Sequence, residues 1–163
     1  IRRSYTDELT KCYNRSAYID DVRELPGDSV YVYVSMDVNG LKPVNDTLGH
    51  AAGDELLQGA AECMEQCFGN YGKVYRMGGD EFAAMLFFNK SVSDDVIRER
   101  AQQIFDKVNL TVKATEGGTG ISMGAVIART ELTFNEMYEE ADNALYDVKE
   151  SGRGRIEVKR HGE

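Results

Sequence analysis

Apolar and polar residues alternate from Ser29 to Met36 (S-V-Y-V-Y-V-S-M), a run rich in Val and Tyr. That period of two predicts a strand. Val74-Tyr75 and Phe82 to Phe88 (F-A-A-M-L-F-F) read as two more strands around Gly78-Gly79, and Ile121 to Ala128 as a fourth. Two glycines between strand-like runs mark a hairpin, because the turns that match strand twist need positive φ. Helical spacing takes over from Ala51 to Phe68, with Ala52, Leu56, Ala60, Cys63 and Cys67 on one stripe. A second stripe begins at Ser93-Asp94 and carries Val96, Ile97, Ala101, Ile104, Phe105 and Val108, after which Leu110 to Gly120 reads as loop. Thr133 caps a third long helix reaching about Lys149, with Glu136 at the capping-box position and Ser151-Gly152 as the stop. Shorter helices are expected from Asn14 to Leu25, stopped by Pro26-Gly27, and from Leu41 to Leu48, with Pro43 in its first turn. Arg155 to Lys159 make a short last strand. This order predicts an α+β fold, a mixed central β-sheet flanked by helices.

The chain has 163 residues, enough for one domain with a full core. Residues 1–13 are polar and read as a lead-in turn or linker, with the domain proper at 14–160. Net charge is −9, which argues against nucleic acid as a partner and requires any phosphate site to be a local basic pocket. The three cysteines, Cys12, Cys63 and Cys67, have no framework spacing, so they read as packing residues rather than a disulfide scaffold. No run approaches the ~20 apolar residues of a membrane span. No signal peptide is visible, so no membrane contact is expected of this domain. The sequence begins at Ile1 rather than Met, as expected of a domain excised from a longer chain.

Several polar residues could carry chemistry, and each has a plain alternative. Asp80 and Glu81 fall at the hairpin tip, where adjacent strand positions point to opposite faces; they read either as two functional carboxylates or as a solvated turn. Asp37 ends the first strand. With Asp80 it could supply the carboxylate pair that Mg²⁺ prefers beside phosphate oxygens, or it could cap the turn that follows. Lys42 follows an Asn-Gly turn at a helix start, a place that favours anions. Asn45 and Asp54 have the donor and acceptor groups to read a purine edge, or are helix-surface residues. His50 is a lone histidine of the kind found in loops. Lys149 and Arg153 flank a glycine stop at a helix end, where the helix dipole favours cations; as a pair they could also clamp phosphate.

Taken together these residues resemble the GGDEF family of diguanylate cyclases over nearly the whole chain. Gly78-Gly79-Asp80-Glu81-Phe82 is the family motif intact, preceded by Arg76. T-D-E-L-T-K-C-Y-N-R is similar to the family's D-x-L-T-G-L-x-N-R, with Lys11 and Cys12 in place of Gly and Leu. D-V-N-G-L-K-P-V-N-D-T-L-G-H-A-A-G-D-E-L-L resembles D-x-D-x-F-K-x-x-N-D-x-x-G-H-x-x-G-D-x-x-L, with Asn39 and Leu41 as departures. G-I-S-M-G-A and A-D-N-A-L-Y-D-V-K-E-S-G-R resemble the closing strand and helix.

The resemblance implies a nucleotidyl cyclase fold, palm-like with a ferredoxin-like core, that condenses two GTP into cyclic di-GMP across a transient homodimer. It implies two Mg²⁺ or Mn²⁺ ions per site held by Asp37, the Val38 carbonyl and Asp80. Catalysis would fall to Asp80, Glu81 and Lys42. Substrate binding would fall to Leu41, Lys42, Asn45, His50, Asp54, Gly78, Gly79, Lys149 and Arg153. A GTP-binding receptor with little or no turnover is the alternative. An upstream sensory or dimerisation domain is expected, with this domain in the cytoplasm, free or as part of a membrane-bound sensor. Asn39 removes a carboxylate beside the metal ligand, so softened metal affinity is expected. Many family members carry Arg-x-x-Asp as an inhibitory product site six residues before the motif. Gly69 and Gly72 stand there, so no such site is expected.

Overall fold

Strand β1 (Ser29–Val38) lies at the centre of a five-stranded sheet of order β2-β3-β1-β4-β5. The computed structural model describes residues 4–25, 27–129 and 132–162. Strand β1 pairs antiparallel with β3 (Glu81–Asn89) on one side and with β4 (Ile121–Ala128) on the other. Strand β2 (Gly72–Gly78) forms the hairpin with β3, and β5 (Ile156–Arg160) runs parallel to β4, so the sheet is mixed as predicted.

Helices cover both faces. Val30, Val32, Val34 and Met36 point into the larger core, which holds α2 (Leu41–Leu48), α3 (His50–Phe68) and α4 (Asp94–Ala114) against one face. Tyr31 and Tyr33 point the other way, towards α1 (Arg15–Asp21) and α5 (Phe134–Glu150). Alternation along one strand therefore feeds two cores. Helix α5 lies directly on β4: a Cβ on Gly124 would come within 2.2 Å of the Leu145 backbone nitrogen.

Several expected boundaries move. Strand β1 runs two residues past Met36, because Asp37 still pairs with Glu81 and Ser122, and Val38 with Ile121. Helix α4 runs beyond Val108 to Ala114, since Val112 continues its buried stripe, and the expected loop shortens to match. Helix α1 stops at Asp21 rather than near Leu25, and the chain turns with Arg23 N–H on the Asp20 carbonyl. Pro26, expected to end it, lies outside the described residues, as do residues 1–3 of the lead-in.

Residues 4–13 are packed onto the sheet edge. Thr6 bridges Tyr13, Tyr13 bridges Tyr75, and Cys12 is fully buried in the larger core. Burial there pushes the Cys12 thiol up to about 12, and the Glu65 charge adds to the shift. Cys63 and Cys67 lie 4.0 Å apart on α3, with the Cys63 thiol against the Thr111 hydroxyl, which is helix packing as expected.

Candidate active site

The C-terminal end of β1 collects the chemistry. Residues directly opposite in antiparallel strands share a face. The row Glu81, Asp37, Ser122 therefore lies side by side across β3, β1 and β4, on the face covered by α5. The hairpin tip is tied to the same place, because the Val38 N–H donates to the Asp80 carbonyl at 3.0 Å. Gly79 makes the turn with φ +48, a conformation that costs glycine little.

Helix α5 brings Lys149, and the turn after it carries Arg153. The Lys149 ammonium is ion-paired with Asp37 Oδ2. Asp37 is 5% exposed, and its second oxygen, Oδ1, is buried with no hydrogen-bond partner among the described residues. Burial raises the Asp80 carboxyl above its ordinary range and the Asp37 charge adds to this, while Lys149 and Arg153 oppose it. Glu81 is raised in the same way, by burial first and then by Asp37 and Asp80. The two tip carboxylates thus sense the same Asp37 and Lys149 charges, while Arg153 acts on Asp80.

An unpartnered buried carboxylate oxygen, on a residue whose charge also acts on Asp80 and Glu81, fits a hard divalent cation, which takes oxygen ligands and keeps several of its waters or substrate oxygens. Among the described residues, no group of three or more His, Cys, Asp or Glu side chains forms a ready metal cage. The donors here are fewer, as suits a cation that shares its coordination with phosphate. A cavity of about 130 Å³ opens beside them, with Ser35, Asp37, Glu81, Tyr138, Asp142 and Lys149 in its wall. Two larger clefts, of about 540 and 430 Å³, lie along residues 20–25 and include none of the predicted site residues.

The other predicted residues sit on α2 and α3. Gly40, with φ +74, caps α2, so Leu41 and Lys42 open that helix. Lys42 is exposed and pairs with Asp46 at 3.3 Å, so it is not gathered onto the carboxylates. Asn45 packs against α3 where Gly53 leaves room: a Cβ there would fall 1.8 Å from Asn45 Oδ1. That contact draws Asn45 to the residue before Asp54, which is exposed, as is His50 at the start of α3.

Arg76, two residues before the Gly-Gly turn, supports the site from the neighbouring strand. Its Nε and Nη2 donate to the Gly79 carbonyl at 3.1 and 2.9 Å, and its Nη1 to Asp7 at 3.1 Å. It braces the hairpin tip from below. The signal was an Arg two residues before a Gly-Gly turn, together with an acidic residue in the lead-in. Asn39 is buried and turned to Ser122, whose hydroxyl donates to its Oδ1 at 3.1 Å, a partner the sequence did not suggest.

The model of the family described as "Diguanylate cyclase, GGDEF domain" matches residues 4–155. The chain is similar to the probable diguanylate cyclase DgcT of Escherichia coli K12, 29% identical over 96% of this chain and 36% of that protein. It is 30% identical to the probable diguanylate cyclase DgcF of the same strain, over 99% of this chain and 53% of the relative. The chain thus spans about a third to a half of the length of such relatives. Among solved structures, the GGDEF domain of DgcB from Caulobacter crescentus, in complex with c-di-GMP, superposes with a TM-score of 0.81 at 26% identity, covering 97% of this chain and 98% of that one. No helix of the described residues is long and apolar enough to cross a membrane.

Proposed function

The chain belongs to the GGDEF family, and on that premise we propose that it is a diguanylate cyclase, converting two GTP into cyclic di-GMP and two pyrophosphates. The observation that carries this reading is the meeting of Asp37, Asp80 and Glu81 at one end of the sheet, with the Lys149 ammonium paired to Asp37 and the Arg153 charge acting on Asp80. That arrangement suits phosphoryl chemistry, where positioning and charge supply most of the rate.

In this reading each ribose 3′-oxygen attacks the α-phosphorus of the other GTP. The bond to the bridging oxygen breaks, pyrophosphate leaves, and Asp80 receives the hydroxyl proton. The family is metal-dependent, and Asp37, the Val38 carbonyl and Asp80 would hold two Mg²⁺ or Mn²⁺ ions, with Glu81 in support. Bound there, such ions supply charge neutralisation and a lowered nucleophile pKa. Lys42 and the amides near Leu41 face the phosphates, His50, Gly78 and Gly79 border the nucleotide, and Lys149 and Arg153 hold its outer phosphates. Asn45 and Asp54 read guanine. One chain presents one GTP, so two copies face each other across a two-fold axis. Residues 14–160 carry the activity, and an upstream domain in the full protein brings copies together in the cytoplasm.

The test is incubation of the purified protein with GTP and Mg²⁺, followed by separation of the nucleotides. Cyclic di-GMP is expected from the parent and none from a folded Asp80→Asn variant, whose neutral amide cannot balance the cations. Near-normal product from that variant would remove the role of Asp80. GTP binding without any product from the parent would put the receptor reading in its place.

A further inference from the structure

The chain leaves β1 at Asn39, and both backbone groups of that residue are held. Its N–H donates to the Gly120 carbonyl at 2.9 Å, and its carbonyl accepts from the Thr119 hydroxyl at 3.3 Å. Its side chain accepts the Ser122 hydroxyl at 3.1 Å. Ser122 is fully buried, and a hydroxyl has one proton to give. With that proton committed to Asn39, the oxygen's lone pairs are turned to the Gly154 N–H, which donates to it at 3.1 Å.

Gly154 follows Arg153, which has φ +67, a region that residues with a Cβ visit only when their surroundings hold them there. The holding bonds lie on both sides of Arg153. Its own N–H closes on the Val148 carbonyl at 3.0 Å, and Met123 N–H donates to the Arg155 carbonyl at 3.1 Å. Between those two bonds, Ser122 Oγ anchors the turn from β4, and within the turn Arg155 Nε donates to Ser151 Oγ at 2.9 Å.

We infer that Asn39 is a positioning residue for phosphate binding: through the Ser122 hydroxyl it fixes the turn that aims Arg153 at the outer phosphates. The inference rests on the reading of Arg153 as a phosphate ligand. It gives the Asn in place of Asp a task separate from metal affinity, because a carboxamide oxygen accepts the Ser122 proton without adding charge beside Asp37. It also explains why a polar pair is buried at the strand end, where an unmade hydrogen bond is costly.

The experiment compares affinities for a GTP analogue with a methylene α,β-bridge and for GMP, which lacks the outer phosphates. In Asn39→Ala and Ser122→Ala the analogue-to-GMP affinity ratio should fall about threefold to tenfold, the scale of one neutral hydrogen bond. Asn39→Asp keeps an acceptor and should keep the parent ratio. Arg153→Ala should lower the ratio too, and adding Ser122→Ala to it should lower it no further, because the two act as a unit. A parent ratio in Ser122→Ala, with the ratio lost in Arg153→Ala, would overturn the inference and leave the phosphate reading standing. A ratio unmoved by Arg153→Ala would overturn both. Parallel loss of both affinities in Ser122→Ala would mark a merely structural role and also count against it. Amide exchange adds a readout independent of nucleotide: the Gly154 N–H should lose protection in Ser122→Ala and keep it in Asn39→Asp.

Discussion

Lys149, on the last turn of α5, is ion-paired with Asp37 at the end of β1. The carboxylate most deeply placed in the site is thus neutralised by a side chain of the domain itself. A divalent cation that takes Asp37 must compete with this ammonium.

Lys149→Met should therefore do two things. Without divalent metal it leaves a buried charge uncompensated and lowers stability by about 2 kcal/mol, less than the roughly 3–5 of a fully enclosed pair because Lys149 is partly exposed. With Mg²⁺ or Mn²⁺ the melting temperature of the variant should rise more than that of the parent, since binding to the folded state alone stabilises it. Thermal melts with and without metal read both effects, and an equal rise in the two proteins would contradict the competition.

Asp54→Ala should weaken GTP binding by roughly 1–3 kcal/mol, the scale of a polar partner left unpaired. Calorimetry decides. Unchanged affinity, or equal binding of ATP and GTP by the parent, would remove Asp54 from base recognition.

Feedback by product should be absent at residues 69–72. A Cβ on Gly72 would fall 1.9 Å from the Met85 carbonyl oxygen of the paired strand, and one on Gly69 would fall 2.4 Å from the Glu65 carbonyl. Restoring Arg-x-x-Asp there by substitution should destabilise the hairpin rather than create a site. The nearby cations are engaged: Arg98 donates to the Val158 carbonyl, and Arg100 to the Tyr71 hydroxyl at 2.8 Å. Titration with cyclic di-GMP, the active site filled by a non-hydrolysable GTP analogue, should show no sub-micromolar binding. Tight binding under those conditions would overturn this reading.

The brace beneath the hairpin carries a pH signature. Burial raises the Asp7 carboxyl, but its bonds from Thr10 and Arg76 outweigh that and hold it below its ordinary value. A carboxylate depressed in the folded state stabilises above its unfolded pKa, and that contribution is lost as pH falls through the folded value. Asp7→Asn should thus lower the urea midpoint near neutral pH, and the gap from the parent should close below about pH 3.8. A gap of constant size across that range would mean the Asp7–Arg76 charge pair is not its source.

Much of this fold was legible because its signals are local. The Val/Tyr alternation of β1 and the Gly78-Gly79 turn each appear where a short-range rule puts them. So does the Thr133 cap, whose hydroxyl accepts from Glu136 N–H. The misses are positions decided by distant partners. Val38 stays in strand because Ile121 pairs with it, and nothing in its own neighbourhood announces that partner. Val112 extends α4 past a sequence that reads as loop because it packs into the larger core. Asn39 lies near Asp37 as expected, but its bond to Ser122 joins residues 83 positions apart, beyond the reach of any spacing rule. The face-to-face partner that the proposed chemistry requires would belong to another copy of the chain.

That last requirement gives the most direct measurement of the central claim. The rate of cyclic di-GMP formation per subunit, from GTP and Mg²⁺, is followed over roughly a hundredfold dilution of protein shown to be monomeric when dilute. With a net charge of −9 on each copy, the proposed pairing should be weak. The rate per subunit should therefore climb with concentration, and climb further with added salt until screening saturates. A rate per subunit that stays flat across the dilution, or no cyclic di-GMP at any concentration, would contradict the account.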